Sequence, residues 1–134
     1  MIRRIDHTTI TVGDLERSVA FYTELLGFQI DHEMWFPETR LRIVFLRLGD
    51  TTLELFGVPE THGAMVNDIN EVIGYKHICL LVDSVDDEYS RLSAAGVQFR
   101  ITPVTVQDSV RIAFLRDPDG MDIELIEYLP KEPR

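Results

Sequence analysis

The stretch RIVFLR at residues 42–47 recurs almost unchanged as RIAFLR at residues 111–116, 69 positions later. Self-similarity at a fixed offset is typical of a duplicated structural unit. Rarer residues recur in step with it, 70 positions apart, and they are His7 with His77 and Glu54 with Glu124. Each half therefore carries one histidine and, 47 residues later, one glutamate. The spacing predicts a chain of two similar modules.

A duplicated histidine and glutamate also predict a duplicated half of a metal site. Two imidazoles and two carboxylates are a sufficient ligand set for a divalent cation. Such ligands suit Zn²⁺, Ni²⁺, Co²⁺, Mn²⁺ and Fe²⁺, and the sequence does not select among these ions. A single histidine at the start of a strand is more often structural or solvated. Four residues in register across a repeat favour the metal site.

The order of elements is predicted to be β-α-β-β-β twice, which makes an α+β fold. Asp14 and Ser84 are typical helix N-caps, and Gly27 and Gly96 are typical helix stops. Module 1 covers about residues 1–57, a linker with a short helix near 65–73 covers about 58–74, and module 2 covers about 75–129. The whole chain of 134 residues is expected to form a single domain. The strands are predicted at residues 5–12, 28–35, 41–48, 52–56, 77–82, 97–102, 109–115 and 122–127.

Strand alternation predicts which face of the sheets carries the polar residues. The helices must cover one face, so Leu53, Leu55, Ile123 and Leu125 are expected to pack beneath them. The histidines and glutamates then fall on the opposite face. The same face is expected to line a substrate pocket with a mixture of small polar and apolar groups, namely Thr9, Thr11, Thr52, Phe56, Cys79 and Asp122.

Composition narrows the possible partners. The net charge is −10, from 23 acidic and 13 basic residues, which argues against nucleic-acid binding. No apolar run approaches the roughly 20 residues that cross a bilayer, and no signal-like segment stands at the N-terminus. The one cysteine, Cys79, is consistent with a reducing compartment, so a cytoplasmic location away from membranes is expected.

The chain resembles the vicinal oxygen chelate superfamily, which includes glyoxalase I, extradiol dioxygenases and the bleomycin resistance proteins. The resemblance rests on six groups of residues: IDHT at 5–8, VxDL at 12–15, FY at 21–22 with LGF at 26–28, LEL at 53–55, KHI at 76–78, and DPDG at 117–120 followed by IEL at 123–125. It implies that paired βαβββ modules form a curved, mostly antiparallel sheet cup with the helices outside. That cup would hold one divalent metal ion and a small-molecule substrate.

The resemblance also implies roles for individual residues. The family's metal ligands correspond to His7, Glu54, His77 and Glu124. The full His/Glu/His/Glu set is similar to that of glyoxalase I, whose chemistry moves a proton next to a carbonyl group. Glu124 is then the expected proton-carrying base and Glu54 its counterpart. A homodimer is expected, with the metal held either within one chain or between exchanged modules of two chains.

Two positions depart from the glutathione-dependent bacterial members of the family. Those members carry an arginine four residues after the first histidine ligand and an asparagine four residues after the first glutamate ligand. Thr11 and Val58 stand at these places here. The resemblance therefore does not identify the thiol compound that forms part of the substrate. His32 and His62 have no duplicated partners and are expected at the surface or at the rim of the pocket.

Two alternative functions are open at this point. An extradiol-type dioxygenase uses two histidines and one carboxylate, so a fourth protein ligand argues against it. A non-catalytic small-molecule or antibiotic-binding protein of the same fold is the other alternative. Bleomycin-binding relatives lack the metal ligands, and the complete set here argues against that function. A glyoxalase-type lyase or isomerase is the leading hypothesis.

Overall fold

A computed structural model describes residues 1–63 and 70–131 of the chain. It divides into two compact units, Met1–Gly63 and Ala64–Arg134. Within the described residues, each contains one four-stranded mixed sheet and one helix in the order β-α-β-β-β, so the predicted α+β class and the two-module repeat are confirmed. The linker helix predicted near residues 65–73 lies partly outside the described residues, and residues 70–73 form turns and bends.

Unit 1 builds its sheet around the first copy of the repeated stretch. The strand order is β1-β4-β3-β2, in which β1 is parallel to β4 and the other neighbours are antiparallel. The segment at residues 42–47 lies within β3, where Val44 and Leu46 are buried. The strands are β1 His7–Thr11, β2 Gln29–Phe36, β3 Leu41–Leu48 and β4 Thr51–Gly57.

Unit 2 repeats this topology, with the strand order β5-β8-β7-β6 and β5 parallel to β8. The second copy of the repeated stretch forms β7, and its Ala113 and Leu115 are fully buried. His77 was predicted to begin β5, whereas it lies immediately before it, because pairing with β8 starts at Ile78. The strands are β5 Ile78–Leu81, β6 Phe99–Val106, β7 Val110–Arg116 and β8 Asp122–Tyr128.

Both helices begin at the predicted caps. The Asp14 carboxylate accepts a hydrogen bond from Arg17 N, and helix α1 follows at Leu15–Ala20. The Ser84 hydroxyl accepts from Asp87 N, and helix α2 follows at Val85–Ala94. These contacts satisfy amide donors that have no partner within the helix. No helix among the described residues is long and apolar enough to span a membrane.

The end of the first helix differs from the prediction. Residues Phe21–Leu25 continue α1 as a π-helical turn rather than as regular α-helix. The Thr23 hydroxyl donates to the Val19 carbonyl at 2.7 Å and so competes for the acceptor that regular α-helical bonding would use. Gly27 then stops the helix with a φ of +81°, a conformation that glycine adopts readily.

Each helix packs against one face of its own sheet. In unit 1 the Leu15 side chain lies directly against Gly57 at the end of β4. In unit 2 the Glu127 carboxylate on β8 accepts a hydrogen bond from Val85 N at 2.9 Å. Since residues alternate along a strand, Leu53 and Leu55 face α1, and Ile123 and Leu125 face α2. All four are buried, as predicted, so Glu54 and Glu124 fall on the opposite face.

Replacing Gly57 with Ala is expected to destabilise the chain by about 1–3 kcal/mol, because it overpacks the helix–sheet contact. A methyl group at this position would lie 2.8 Å from Leu15 Cδ2 and 3.0 Å from its Cβ. Urea unfolding gives the free energy of unfolding. In a Leu15→Ala background, the Gly57→Ala substitution should lower the free energy of unfolding measurably less. An equal loss of free energy in both backgrounds would contradict this explanation.

Candidate metal centre and pocket

The first His–Glu pair forms entirely within unit 1. His7 is the first residue of β1, and β1 pairs in parallel with β4, which carries Glu54. The His7 Nε2 atom lies 2.9 Å from Glu54 Oε2. The Glu54 side chain is 9% exposed and that of His7 38% exposed, so the carboxylate is sheltered while the imidazole reaches solvent. The two predicted ligands of this half are therefore neighbours.

Two further side chains support this pair. Asp6 Oδ2 lies 2.9 Å from His7 Nδ1, and the Thr9 hydroxyl donates to Glu54 Oε2 at 2.8 Å. A carboxylate on the second imidazole nitrogen fixes the ring orientation, as it does for many metal-binding histidines. The Asp6 hydrogen bond and the Glu54 charge raise the pKa of His7 above its ordinary value, and burial partly opposes them. This half thus stabilises positive charge.

The second His–Glu pair forms within unit 2. His77 Nε2 lies 2.8 Å from Glu124 Oε2, and their side chains are 29% and 16% exposed. Lys76 stands before His77 where Asp6 stands before His7, and its Nζ donates to the Val72 carbonyl. The duplication therefore reproduces the pair itself but not the carboxylate behind the imidazole.

An aromatic ring lies beside each His–Glu pair, and neither ring is among the site residues predicted from sequence. The Phe45 ring centroid is 6.0 Å from that of His7, and the Phe114 centroid is 4.9 Å from that of His77, both edge to face. Phe45 pairs in register with Glu54, and Phe114 with Glu124. The sequence does contain a sign of these two rings, because both belong to the repeated stretch at residues 42–47 and 111–116.

Two predicted residues have partners that alternation did not reveal. His32 stacks on Phe45 with 4.1 Å between centroids, which places it on the same sheet face as His7. Asp122, predicted to line the pocket, is buried and forms a two-point ion pair with Arg100, whose guanidinium lies 5.0 Å from the Phe114 ring centroid. Asp122 therefore holds Arg100 in place rather than offering a free carboxylate.

The other predicted pocket residues vary in exposure. Thr11 is exposed, and Thr52 and Phe56 are half-buried, on strands where alternation gives them the face of Glu54. Cys79 pairs in register with Glu124, and burial, then the Glu124 charge and hydrogen bond, raise the pKa of its thiol to about 11. His62 is exposed.

The donor atoms of these pairs can be compared with the ligands that divalent cations prefer. Each unit offers one imidazole nitrogen and one carboxylate oxygen within 3 Å of each other, and both are ligand types of borderline divalent cations. Taken by itself, neither unit's described residues group three or more His, Cys, Asp or Glu side chains in ligating positions. Each unit therefore brings together two donor atoms of the types that divalent cations accept.

The Cys79 thiol is expected to react slowly with a disulfide reagent such as DTNB at pH 8. A pKa of about 11 leaves roughly 0.1% thiolate, against about 20% for a free thiol, and the greater nucleophilicity of the rarer thiolate recovers about tenfold. The net expectation is a rate roughly ten to thirty times slower in the folded metal-free protein than in guanidinium. Because Cys79 is the single cysteine, the assay reports it alone. Equal rates would contradict the raised pKa of the Cys79 thiol.

Comparison with known proteins yields a family and a set of relatives. The family model described as Glyoxalase/Bleomycin resistance protein/Dioxygenase superfamily matches residues 4–125. A lactoylglutathione lyase of Salmonella typhimurium is 36% identical over 126 residues, covering 92% of each chain. The trypanothione-dependent glyoxalase I of Leishmania major is 34% identical, with a TM-score of 0.72, covering 94% of this chain and 87% of that one. Glyoxalase I of Zea mays is 28% identical with a TM-score of 0.77, covering 96% of this chain and 46% of that one.

Proposed function

Because the chain belongs to the glyoxalase/bleomycin resistance protein/dioxygenase superfamily and is a glyoxalase I-like enzyme, we propose that it is a divalent-metal-dependent lyase. The proposed reaction moves a proton between two adjacent carbons, one of them a carbonyl carbon, in a small substrate. The observation that carries this proposal is the pair of His–Glu contacts, His7 with Glu54 and His77 with Glu124, at 2.9 and 2.8 Å.

The four residues of these pairs are the proposed ligands of one divalent ion. Zn²⁺, Ni²⁺, Co²⁺, Mn²⁺ and Fe²⁺ all accept imidazole and carboxylate, and the choice among them is left to measurement. When bound, such an ion supplies Lewis acidity, which polarises substrate oxygens and makes the neighbouring C–H more acidic. The two carboxylates balance the charge of the ion, which favours its binding in a partly desolvated site.

Glu124 is the proposed general base. A carboxylate within reach of the substrate takes the proton from one carbon and returns it to the next, and in this way general acid–base catalysis contributes about 10²–10⁴-fold to the rate. Glu124 is the more exposed of the two glutamates, with 16% of its side chain accessible against 9% for Glu54. Glu54 is held by both His7 and Thr9 and is proposed to remain a ligand.

The proposed substrate is the adduct of a small 2-oxoaldehyde with a thiol. The Salmonella relative is named for lactoylglutathione and the Leishmania relative for trypanothione, so related enzymes use different thiols. A lactoyl thioester is the isomer of the hemithioacetal of a three-carbon 2-oxoaldehyde. Moving the C1 proton to C2, together with transfer of the hydroxyl proton from the C1 oxygen to the C2 oxygen, interconverts the two. Thr11, Thr52 and Phe56 are proposed to contact the non-reacting part of this adduct.

The proposed assembly is a homodimer, with a location in the cytoplasm. The four ligands meet either within one chain or between exchanged units of two chains. Size-exclusion chromatography with light scattering gives the oligomeric state, and a monomer would overturn the proposed dimer. Mixing two inactive variants, one lacking His7 and the other lacking His77, distinguishes the alternatives, because exchanged units restore some intact sites.

The test of the proposed function is a thiol-resolved isomerase assay. Purified protein is loaded with each divalent metal in turn and given methylglyoxal with glutathione, trypanothione, cysteine or no thiol, while formation of the thioester is followed at 240 nm. We expect metal-dependent turnover with at least one thiol adduct and none with the metal-free protein. Absence of turnover with every metal and thiol would overturn the proposal. Oxidation of a catechol by the iron-loaded protein would then identify a dioxygenase.

A further inference from the structure

The two His–Glu pairs differ in the residue that supports each glutamate. The duplication aligns Thr9 with Cys79, each two residues after its histidine. Thr9 pairs in register with Glu54 across parallel strands β1 and β4, and Cys79 pairs in register with Glu124 across β5 and β8. The same place beside each carboxylate therefore holds a hydroxyl in one half and a thiol in the other.

The hydroxyl half is the more firmly held. The Thr9 hydroxyl donates to Glu54 Oε2 at 2.8 Å, and the same oxygen lies 2.9 Å from His7 Nε2. Hydrogen bonds to an ionised carboxylate are short and strong when the donor is a hydroxyl. Asp6 holds the other nitrogen of His7 at 2.9 Å. Besides their contact with each other, Glu54 therefore has Thr9 as a partner and His7 has Asp6.

The thiol half is held less firmly. A thiol is a weak donor, so Cys79, which is in register with Glu124, restrains the carboxylate less than a hydroxyl at that place does. The residue before His77 is Lys76, whose Nζ donates to the Val72 carbonyl and which offers no carboxylate to the imidazole. The Glu124 side chain is also nearly twice as exposed as that of Glu54.

We infer that Thr9 and Cys79 are positioning residues that assign different roles to the two glutamates. The hydroxyl at position 9 keeps Glu54 fixed on the metal, and the thiol at position 79 leaves Glu124 free to move between metal and substrate. This inference rests on the proposed function and goes beyond it, because it names the side chains that make a duplicated site asymmetric.

The experiment exchanges the two supporting side chains. Threonine and valine have nearly the same shape, so a Cys79→Thr variant compared with a Cys79→Val variant isolates the effect of adding a hydroxyl beside Glu124. We expect kcat of Cys79→Thr to be at least tenfold below that of Cys79→Val, with KM changed by less than threefold. Equal kcat values for the two variants would overturn the inference.

A second arm measures metal affinity without any turnover. Competition with a chromogenic chelator gives the dissociation constant for Zn²⁺ in each metal-free variant. We expect Thr9→Val to weaken Zn²⁺ binding about tenfold and Cys79→Val to weaken it at least threefold less than that. Equal losses in the two variants would overturn the inference. Thr8→Val is the matched control, since alternation places Thr8 on the other sheet face from Thr9, and its affinity should match that of the unmodified chain.

The two arms separate failure of this inference from failure of the proposed function. An unmodified protein that turns over no thiol adduct overturns the proposed function, while the Zn²⁺ affinities of Thr9→Val and Cys79→Val still decide whether the two supports differ. An active protein with equal kcat in Cys79→Thr and Cys79→Val retains the proposed function and overturns the inference.

Discussion

Replacing Glu124 with Gln is expected to lower kcat by about 10²–10⁴-fold, the usual contribution of a positioned general base. The amide is nearly the same size as the carboxylate and can still accept from His77 Nε2, which lies 2.8 Å from Glu124 Oε2. The fold should therefore survive, and KM should change little. Steady-state kinetics with the best thiol adduct, at saturating metal, measures the loss.

The matched control is Glu54→Gln, the equivalent change in the other half. Glu54 is proposed to stay bound, so its loss should appear mainly as weaker metal binding, and excess metal should restore more activity than it does in Glu124→Gln. Circular dichroism and thermal unfolding confirm that both variants fold. If Glu124→Gln retained turnover within threefold of the unmodified chain, Glu124 would not be the base.

Removing the metal is expected to abolish turnover completely, and replacing His77 with Ala should weaken metal binding by at least about 10²-fold. The Ala variant removes one of four proposed ligands and leaves Glu124 without the contact that orients it. Dialysis against a chelator, followed by titration with each divalent ion and elemental analysis, measures both effects.

Replacing the residue that hydrogen-bonds to a proposed histidine ligand should lower metal affinity less than removing the ligand itself. Asp6→Asn keeps an oxygen near His7 Nδ1 but removes the charge, and such partners typically contribute about 10–100-fold to metal affinity. The corresponding change at Lys76, to Asn, should leave metal affinity within a factor of three. Activity that survives exhaustive chelation, with no metal found by elemental analysis, would refute the metal-dependent mechanism.

Much of the fold was predictable because the chain carries its pattern twice. The offset between the two copies of the repeated stretch identified the modules, and the caps Asp14 and Ser84 located both helices. Alternation along β4 and β8 placed Glu54 and Glu124 away from the helices, which the packing of Leu15 on Gly57 and of Glu127 on Val85 confirms. Periodicity is a local property, so sequence alone carries it.

The surroundings of the site were less predictable, because they depend on register and on contacts across strands. The bulge in β2 between Ile30 and His32 sets which of its side chains meets Phe45, and no periodic pattern encodes that shift. Likewise, the ion pair of Arg100 with Asp122 joins β6 to β8, the strands on either side of β7. The π-helical turn at Phe21–Leu25 includes the side-chain hydrogen bond of Thr23 to the Val19 carbonyl, and helical periodicity does not predict such a turn.

The closure of each His–Glu pair within its own unit has a thermodynamic consequence for ion capture. Residues scattered over a chain must each lose freedom when an ion collects them, and that entropy loss opposes binding. Here strand pairing during folding has already placed each imidazole within 3 Å of its carboxylate. In the proposed site, a cation would therefore have to unite two preformed pairs of donors instead of four independent ones.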